Sequence, residues 1–239
     1  MNSTSSRRVP RLAREARIDR ILHLARDVFC ERGYEDAAVA DIAARLGIVE
    51  GTIYKYFESK RELLLRVLQH WYDEMFGDYT RDLEGISGAR QRVRYLLWRH
   101  LRTMKEHPAL CRLMFSEVRS RPDYFNSELH CMNRRYTKLL MGVVQEGSRT
   151  GEFRRGLSLP LIRDLLFGCM EHHAWNYLYG HGQLEPEQVS EQLSGILCEG
   201  IDARDPAANA ISRQADRLAV LADRLEGAVD RNGKKRGTP

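Results

Sequence analysis

The stretch from Val39 to Lys60, VADIAARLGIVEGTIYKYFESK, leaves few folds open to this chain. Val39, Ile42, Ala43 and Leu46 recur at i, i+3, i+4 and i+7, which gives a helix one apolar face. Gly47 ends that helix, because glycine accepts the left-handed C-cap conformation without a Cβ penalty. Ile48 seals the turn, and a second short helix is predicted from about Glu50 to Phe57. Ile53 and Phe57 form its inward side; Thr52, Lys55 and Tyr56 point outward with Tyr54 beside them, and Gly51 keeps the backbone slim. A slim helix with hydroxyls and a cation suits a major groove, where phosphates and base edges accept hydrogen bonds. Packing alone accounts for Ile42, Ala43, Ile48, Ile53 and Phe57, but not for two tyrosines and two lysines shown together. Ser59 reads as the N-cap of a further helix, with Glu62 three residues on as its capping-box partner.

These residues carry a resemblance. Ile42, Ala43, Gly47, Ile48, Gly51, Thr52, Ile53, Tyr54, Tyr56, Phe57, Ser59 and Lys60 are similar to the helix-turn-helix signature of the TetR family of bacterial transcriptional regulators. The chain departs from it in three places. Val49 stands where most members have a serine that caps the recognition helix, and losing that cap costs about 1 kcal/mol. Glu50 follows, where many relatives are basic; an acid suits the helix dipole there and could accept from a cytosine amino group. Ala37 and Ala38 replace the usual threonines before the first of the two helices, leaving Asp36 as the nearest capper.

Composition is compatible with this reading. The chain has 239 residues, a net charge of +5, 43% hydrophobic and 30% charged residues, ordinary for a soluble helical protein that could bind nucleic acid. Strand-like alternation is scarce. Cys30, Cys111, Cys131, Cys169 and Cys198 are scattered, odd in number and without CxxC spacing, which reads as reduced thiols in a cytosol. No apolar run approaches the ~20 residues that span a bilayer. The basic N-terminus lacks the apolar region of a secretion signal. The expected location is therefore the cytoplasm, with no membrane partner.

The expected fold is all-α, in three parts. Residues 1–58 form a three-helix helix-turn-helix domain whose first helix runs from about Ala13 to Arg32 and ends at Gly33, preceded by a basic arm. Arg7, Arg8 and Arg11 of that arm could lie along the minor groove. Residues 59–203 form a helical ligand-binding and dimerisation domain. Its first helix carries Leu63, Leu64, Val67, Leu68, Trp71, Met75 and Phe76 and gives way to a loop marked by Gly77, Gly85 and Gly88. Helices follow at about 89–107, 108–121, 122–149, 157–179 and 186–201. Residues 204–239 add a helix with a heptad-like seam from Ile211 to Val229 and a basic tail. By resemblance, the helices around 158–180 and 186–202 would pair two chains. A two-fold dimer would present two recognition helices to a near-palindromic, double-stranded operator. Arg45, Glu50, Gly51, Thr52, Tyr54, Lys55, Tyr56 and Lys60 would serve the DNA.

The body has no phosphate-cradling glycine loop and no strand-turn-helix nucleophile motif. Cys169, His172 and His173 lie within one helical turn, but adjacent histidines diverge on a helix, so no metal and no cofactor is expected. A di-metal helical enzyme would need Glu-x-x-His on two helices, which the chain lacks, so no catalysis is expected. Many Leu, Met and aromatic residues on facing helices could enclose an apolar cavity. The missing serine, together with LCRLMFSEVRSRPDY and LLFGCMEHHAWNY, is similar to the FadR-like members of the family, which answer to fatty acyl-CoA. That resemblance implies an apolar tunnel, for which Met104, Leu110, Leu113, Met114, Phe115, Met141, Phe167, Met170 and Trp175 are candidates. It also implies cations for the phosphates, for which Arg112 and Arg119, with Arg99, Arg102 and Arg121, are candidates. The alternative effector is a flat or cationic aromatic compound controlling an efflux operon, which an acid-lined pocket would favour.

Overall fold

A computed structural model describes residues 8–202 together with Gln214 and Leu218; side chains are described from Arg14 on. Nine α-helices follow one another among these residues: α1 Arg8–Asp36, α2 Val39–Leu46, α3 Glu50–Ile53, α4 Lys60–Leu83, α5 Ala89–Glu106, α6 Pro108–Leu113, α7 Glu128–Thr150, α8 Leu159–Leu178 and α9 Pro186–Ile201. A π-helical segment, Met114–Arg119, and a 3-10 turn, Pro122–Asn126, link α6 to α7. The only pairing of extended backbone among the described residues is an isolated bridge between Phe153 and Asp202. The fold is all-α: an N-terminal helix-turn-helix followed by a helical body.

Four expectations need correction. The first helix begins at Arg8 rather than Ala13, and Gly33 breaks it where expected. Gly33 takes φ 76° and ψ −178°, and one more turn follows to Asp36. Asp36 does not cap α2; the capping position is Ala38, with no side-chain bond. Gly77 does not end α4, which runs on to Leu83 because Tyr79 and Leu83 continue its buried stripe. Residues 108–126 are three short pieces, with the long helix starting only at Glu128, where Ser127 caps it by accepting from the His130 amide. The seam expected from Ile211 to Val229, Leu218 apart, lies outside the described residues.

Buried residues from Ile21 to Ile201 make one continuous cluster. Helix α4 holds it together. Leu63, Leu64, Val67 and Leu68 face α1, and Trp71, Tyr72, Met75 and Tyr79 continue the same stripe into the body. Within the body α5 is central and packs on α7, α8 and α9. The turn after α7 locks this arrangement. Glu152 accepts the Ala89 amide at the start of α5 with both carboxylate oxygens, at 3.0 and 2.9 Å, and Arg90 pairs with Asp202 at 2.6 Å.

Gly147 of α7 lies against Phe153 so tightly that a Cβ there would sit 2.3 Å from the ring and 2.8 Å from the Ala89 methyl. Overpacking of this kind costs about 1–3 kcal/mol. Gly147→Ala is therefore expected to lower the urea midpoint by a corresponding amount without changing the m-value. An unchanged midpoint would contradict the packing described.

Candidate functional site

The helix-turn-helix is built as its sequence pattern requires. Val39, Ile42 and Ala43 of α2 are buried, as are Ile53 and Phe57. Gly47 caps α2 at φ 68°, its amide bonding back to the Ala43 and Ala44 carbonyls. Val49 occupies the N-cap of α3 with no side-chain bond and is 74% exposed. The α-helical part of α3 is shorter than expected, ending at Ile53. The Tyr56 and Phe57 amides still bond to the Ile53 carbonyl, so Tyr54 to Phe57 form a closing turn. Ser59 caps α4 by accepting the Glu62 amide at 3.1 Å, while the Glu62 carboxylate accepts from the Glu58 amide, one residue before the partner of an ordinary capping box.

The outward face is short and mixed. Glu50, Gly51, Tyr54 and Lys55 are exposed, and Thr52 and Tyr56 are half-buried. Arg14 stacks over the Tyr56 ring at 5.5 Å, which ties α1 to the end of the recognition element. Arg45 donates to both oxygens of Glu31, at 3.0 and 2.5 Å, and this bond holds the Glu31 carboxyl below its ordinary value. Lys60 donates to the Glu35 carbonyl at 3.0 Å and sits 4.6 Å above the Tyr34 ring. Both cations thus brace α1 against its neighbours. Exposed pairs are weak enough for a phosphate to compete. Arg8 and Arg11 fall within the helical span of α1, and Arg7 lies outside the described residues.

The body encloses a cavity of about 630 Å³, within the usual range for small-molecule sites. Of the residues expected to line it, Met104, Met114, Phe115, Phe167 and Arg119 do so. Leu110, Leu113, Met141 and Met170 are buried in the core away from the cavity wall. Trp175 is 50% exposed on α8. Arg112 donates to the Leu178 carbonyl at 2.7 Å, and Arg99 and Arg102 pair with Glu106. Arg121 is exposed and also lies off the cavity wall.

The sequence reading missed the polar half of the wall: Tyr72, His100, Tyr124, Tyr136, Arg134 and Arg163. A signal was present for some of them. His100 falls at an inward position of the α5 stripe that includes Val93, Leu96, Leu97, Leu101 and Met104, and Tyr136 does the same in α7 between Met132 and Leu140. The hydroxyl of Tyr136 lies 2.5 Å from His100 Nδ1, while His100 Nε2 has no partner. The Phe167 ring meets the imidazole edge to face, with centroids 5.2 Å apart. Tyr79 completes this core, its hydroxyl donating to the Arg99 carbonyl and lying 2.6 Å from Thr103 Oγ1. Burial pushes the Tyr72 and Tyr136 hydroxyls above their ordinary value and the Cys111 thiol to about 12, so all three stay neutral.

Three arginines and two carboxylates reach the cavity. Arg119, on the widened turn of the π-helical segment, donates to Glu171 at 2.6 Å and stacks 5.1 Å from the Phe115 ring. π-helical turns are frequent at functional sites. Arg163 pairs with Asp164 at 2.7 Å, and Arg134 is exposed with no ion pair among the described residues. Both acids are therefore already matched by arginines, which leaves the wall with a surplus of positive charge.

Comparison with known proteins agrees with this architecture. The model of the bacterial regulatory proteins of the tetR family matches residues 21–67, and a tetracyclin repressor-like C-terminal domain model matches residues 87–201. The chain is a DNA-binding transcriptional regulator with a ligand-binding body, not an enzyme, and it belongs to the TetR family. It is 23% identical over 181 residues to the fatty acid metabolism regulator protein of Bacillus subtilis, covering 76% of this chain and 93% of that one. It is 27% identical over 190 residues to the transcriptional repressor KstR2 of Mycolicibacterium smegmatis, covering 78% and 91% respectively. The crystal structure of FadR from Bacillus subtilis in complex with stearoyl-CoA superposes with a TM-score of 0.67 at 23% identity, over 76% of this chain and 98% of that one. No described helix is long and apolar enough to cross a membrane.

The His100 imidazole is held neutral, its pKa lowered from 6.5 to about 4, first by burial and then by the Arg119 charge. Because the unfolded chain takes up that proton more readily, the stability tied to neutral His100 is present above pH 6.5. It is lost as pH falls from 6.5 towards about 4. His107, also lowered, acts in the same direction. Urea unfolding across this window should show wild type losing stability more steeply than His100→Asn; parallel curves would contradict the assignment.

Proposed function

We propose that the chain works as a homodimeric repressor that leaves its operator when a long apolar effector, of the fatty acyl-CoA class, fills the body cavity. The observation that carries the effector reading is the wall itself. It is aromatic and methionine-rich, with Arg119, Arg134 and Arg163 in excess over two carboxylates that are already paired. An apolar chain would lie among Trp71, Tyr72, Met75, Met104, Met114 and Phe167, and the arginines would meet phosphates. The unpartnered Nε2 of His100 would bond a carbonyl or hydroxyl of the effector, which removes the penalty of a buried polar atom left unmade. FadR, crystallised with stearoyl-CoA, supports this class, and the ketosteroid regulator KstR2 supports a bulky apolar effector more generally. A cationic effector finds no unpaired acid in the wall.

The dimer would form through α8 and α9. Leu161, Leu165 and Trp175 of α8, Tyr179 directly after it and Ile196 of α9 are exposed, Ile196 to 70%. An apolar patch of this kind marks an interaction surface. Gly168, open to solvent with no atom within 4 Å of a Cβ, admits close helix approach. Residues 1–58 then act as the DNA head and 59–203 as the body, with α4 shared between them.

On the DNA side, Tyr54 and Lys55 are the most exposed members of the recognition turn, with Thr52, Tyr56, Gly51 and Glu50 around them. Arg45 and Lys60 would exchange their present partners for phosphates, and Arg7, Arg8 and Arg11 would add contacts to the DNA backbone. The test uses an operator selected from random duplexes by the full-length protein. In fluorescence anisotropy, Tyr54→Ala with Lys55→Ala is expected to weaken binding at least ~10-fold and to reduce the slope of log K against log salt by about 1. Unchanged affinity and slope would contradict the placement of this turn in the groove.

A further inference from the structure

We propose that His23, His70 and Glu74 form a binding site for a divalent transition-metal ion of the Zn2+ class, pinning α1 to α4 where the helix-turn-helix meets the body. His70 and Glu74 are four residues apart on α4 and share a face. The packing of α1 on α4 brings His23 across from them. Glu74 Oε1 lies 3.4 Å from His70 Nδ1 and 3.9 Å from His23 Nε2, and one ligating atom from each residue falls within 4.8 Å of the other two. Zinc held about 2.0–2.2 Å from nitrogen and oxygen ligands needs ligand atoms roughly 3.3–3.5 Å apart, so the site closes with small side-chain rotations.

The surroundings already orient the donors. His23 Nδ1 lies 2.7 Å from the Asp19 carbonyl, which only accepts, so Nδ1 keeps the proton and Nε2 offers its lone pair to the site. Glu74 presents Oε1 to both imidazoles, while its Oε2 is held 3.6 Å from Arg26. A gap of about 10 Å³ lies beside the two imidazoles and is bordered also by Leu22, Arg26, Val67 and Trp71. Two imidazoles and one carboxylate suit zinc, nickel or cobalt; calcium and magnesium require oxygen donors, and copper(I) prefers sulfur. Three protein ligands leave a fourth position to water.

Trp71 borders this gap on one side and the effector cavity on the other. A metal here would fix the α1–α4 junction one side chain away from the ligand. The metal site itself depends on neither the operator nor the effector reading.

The test is calorimetric titration of ZnCl2 into the untagged, metal-free, full-length protein, with thermal unfolding on the same samples. Wild type is expected to bind one zinc per chain and to gain thermal stability from it. His70→Gln and Glu74→Gln should each weaken binding at least ~10-fold and lose that gain, while their helical circular dichroism stays at the wild-type level. His172→Gln, on the exposed face of α8, should bind as wild type does. Absence of zinc binding by wild type, or equal affinity in the His70→Gln and Glu74→Gln proteins, would overturn the proposal.

Discussion

The buried stripe of α4 is the interaction on which the rest of the structure depends. From Leu63 to Leu83 its apolar residues never leave the core, yet their partners change along the way. Its N-terminal part packs on α1 as far as His70 and Glu74 and fixes the helix-turn-helix, while Trp71, Tyr72 and Met75 reach the cavity wall in the body. Burial of this kind stabilises by roughly 25 cal/mol per Å² of apolar area, so neither end can shift without disturbing a well-packed neighbour. Ser59 and Glu62 fix where the helix begins, directly after the recognition turn.

This arrangement gives a physical route between the two sites. A molecule filling the cavity touches α4 directly, and α4 bears on the helices that hold α3. Arg61 adds a second link, donating from the first turn of α4 to the Glu117 carbonyl in the π-helical segment that also holds Arg119. Arg119 in turn faces Glu171 of α8, on the helix that displays Leu161, Leu165 and Trp175. Cavity, head and proposed dimer face are thus connected by a few side chains. A ligand needs differential affinity of only about 1–3 kcal/mol between two head positions to act as a switch.

The fold was legible in the sequence where one periodicity repeated over many residues. The helix-turn-helix, the Gly47 cap, the Ser59 cap and the helices at 89–107, 157–179 and 186–201 all rest on such signals. Element ends that tertiary packing decides were not legible. Gly77 reads locally as a breaker, yet the burial of Tyr79 and Leu83 carries α4 past it. The short pieces between Pro108 and Ser127 likewise follow the wall they build. The cavity was half legible. Hydrophobic type selected Met104, Met114, Phe115 and Phe167, but it selected Leu110 and Met170 equally, because apolar character alone cannot separate a cavity wall from a filled core. The polar wall residues needed a different question: which inward positions hold a residue that burial should exclude. His100 and Tyr136 answer it. The cluster of His23, His70 and Glu74 was beyond sequence reasoning, since His23 and His70 meet only through the packing of α1 on α4.

The most direct test of coupling through α4 is to measure stearoyl-CoA affinity twice, once for the free protein and once for the protein saturated with its selected operator. The account predicts weaker binding to the DNA-bound form, by roughly 5–150-fold, with operator affinity reduced by the same factor when the effector saturates, as linkage requires. Equal effector affinity in the two states would contradict it and would leave the cavity without influence on the recognition helices.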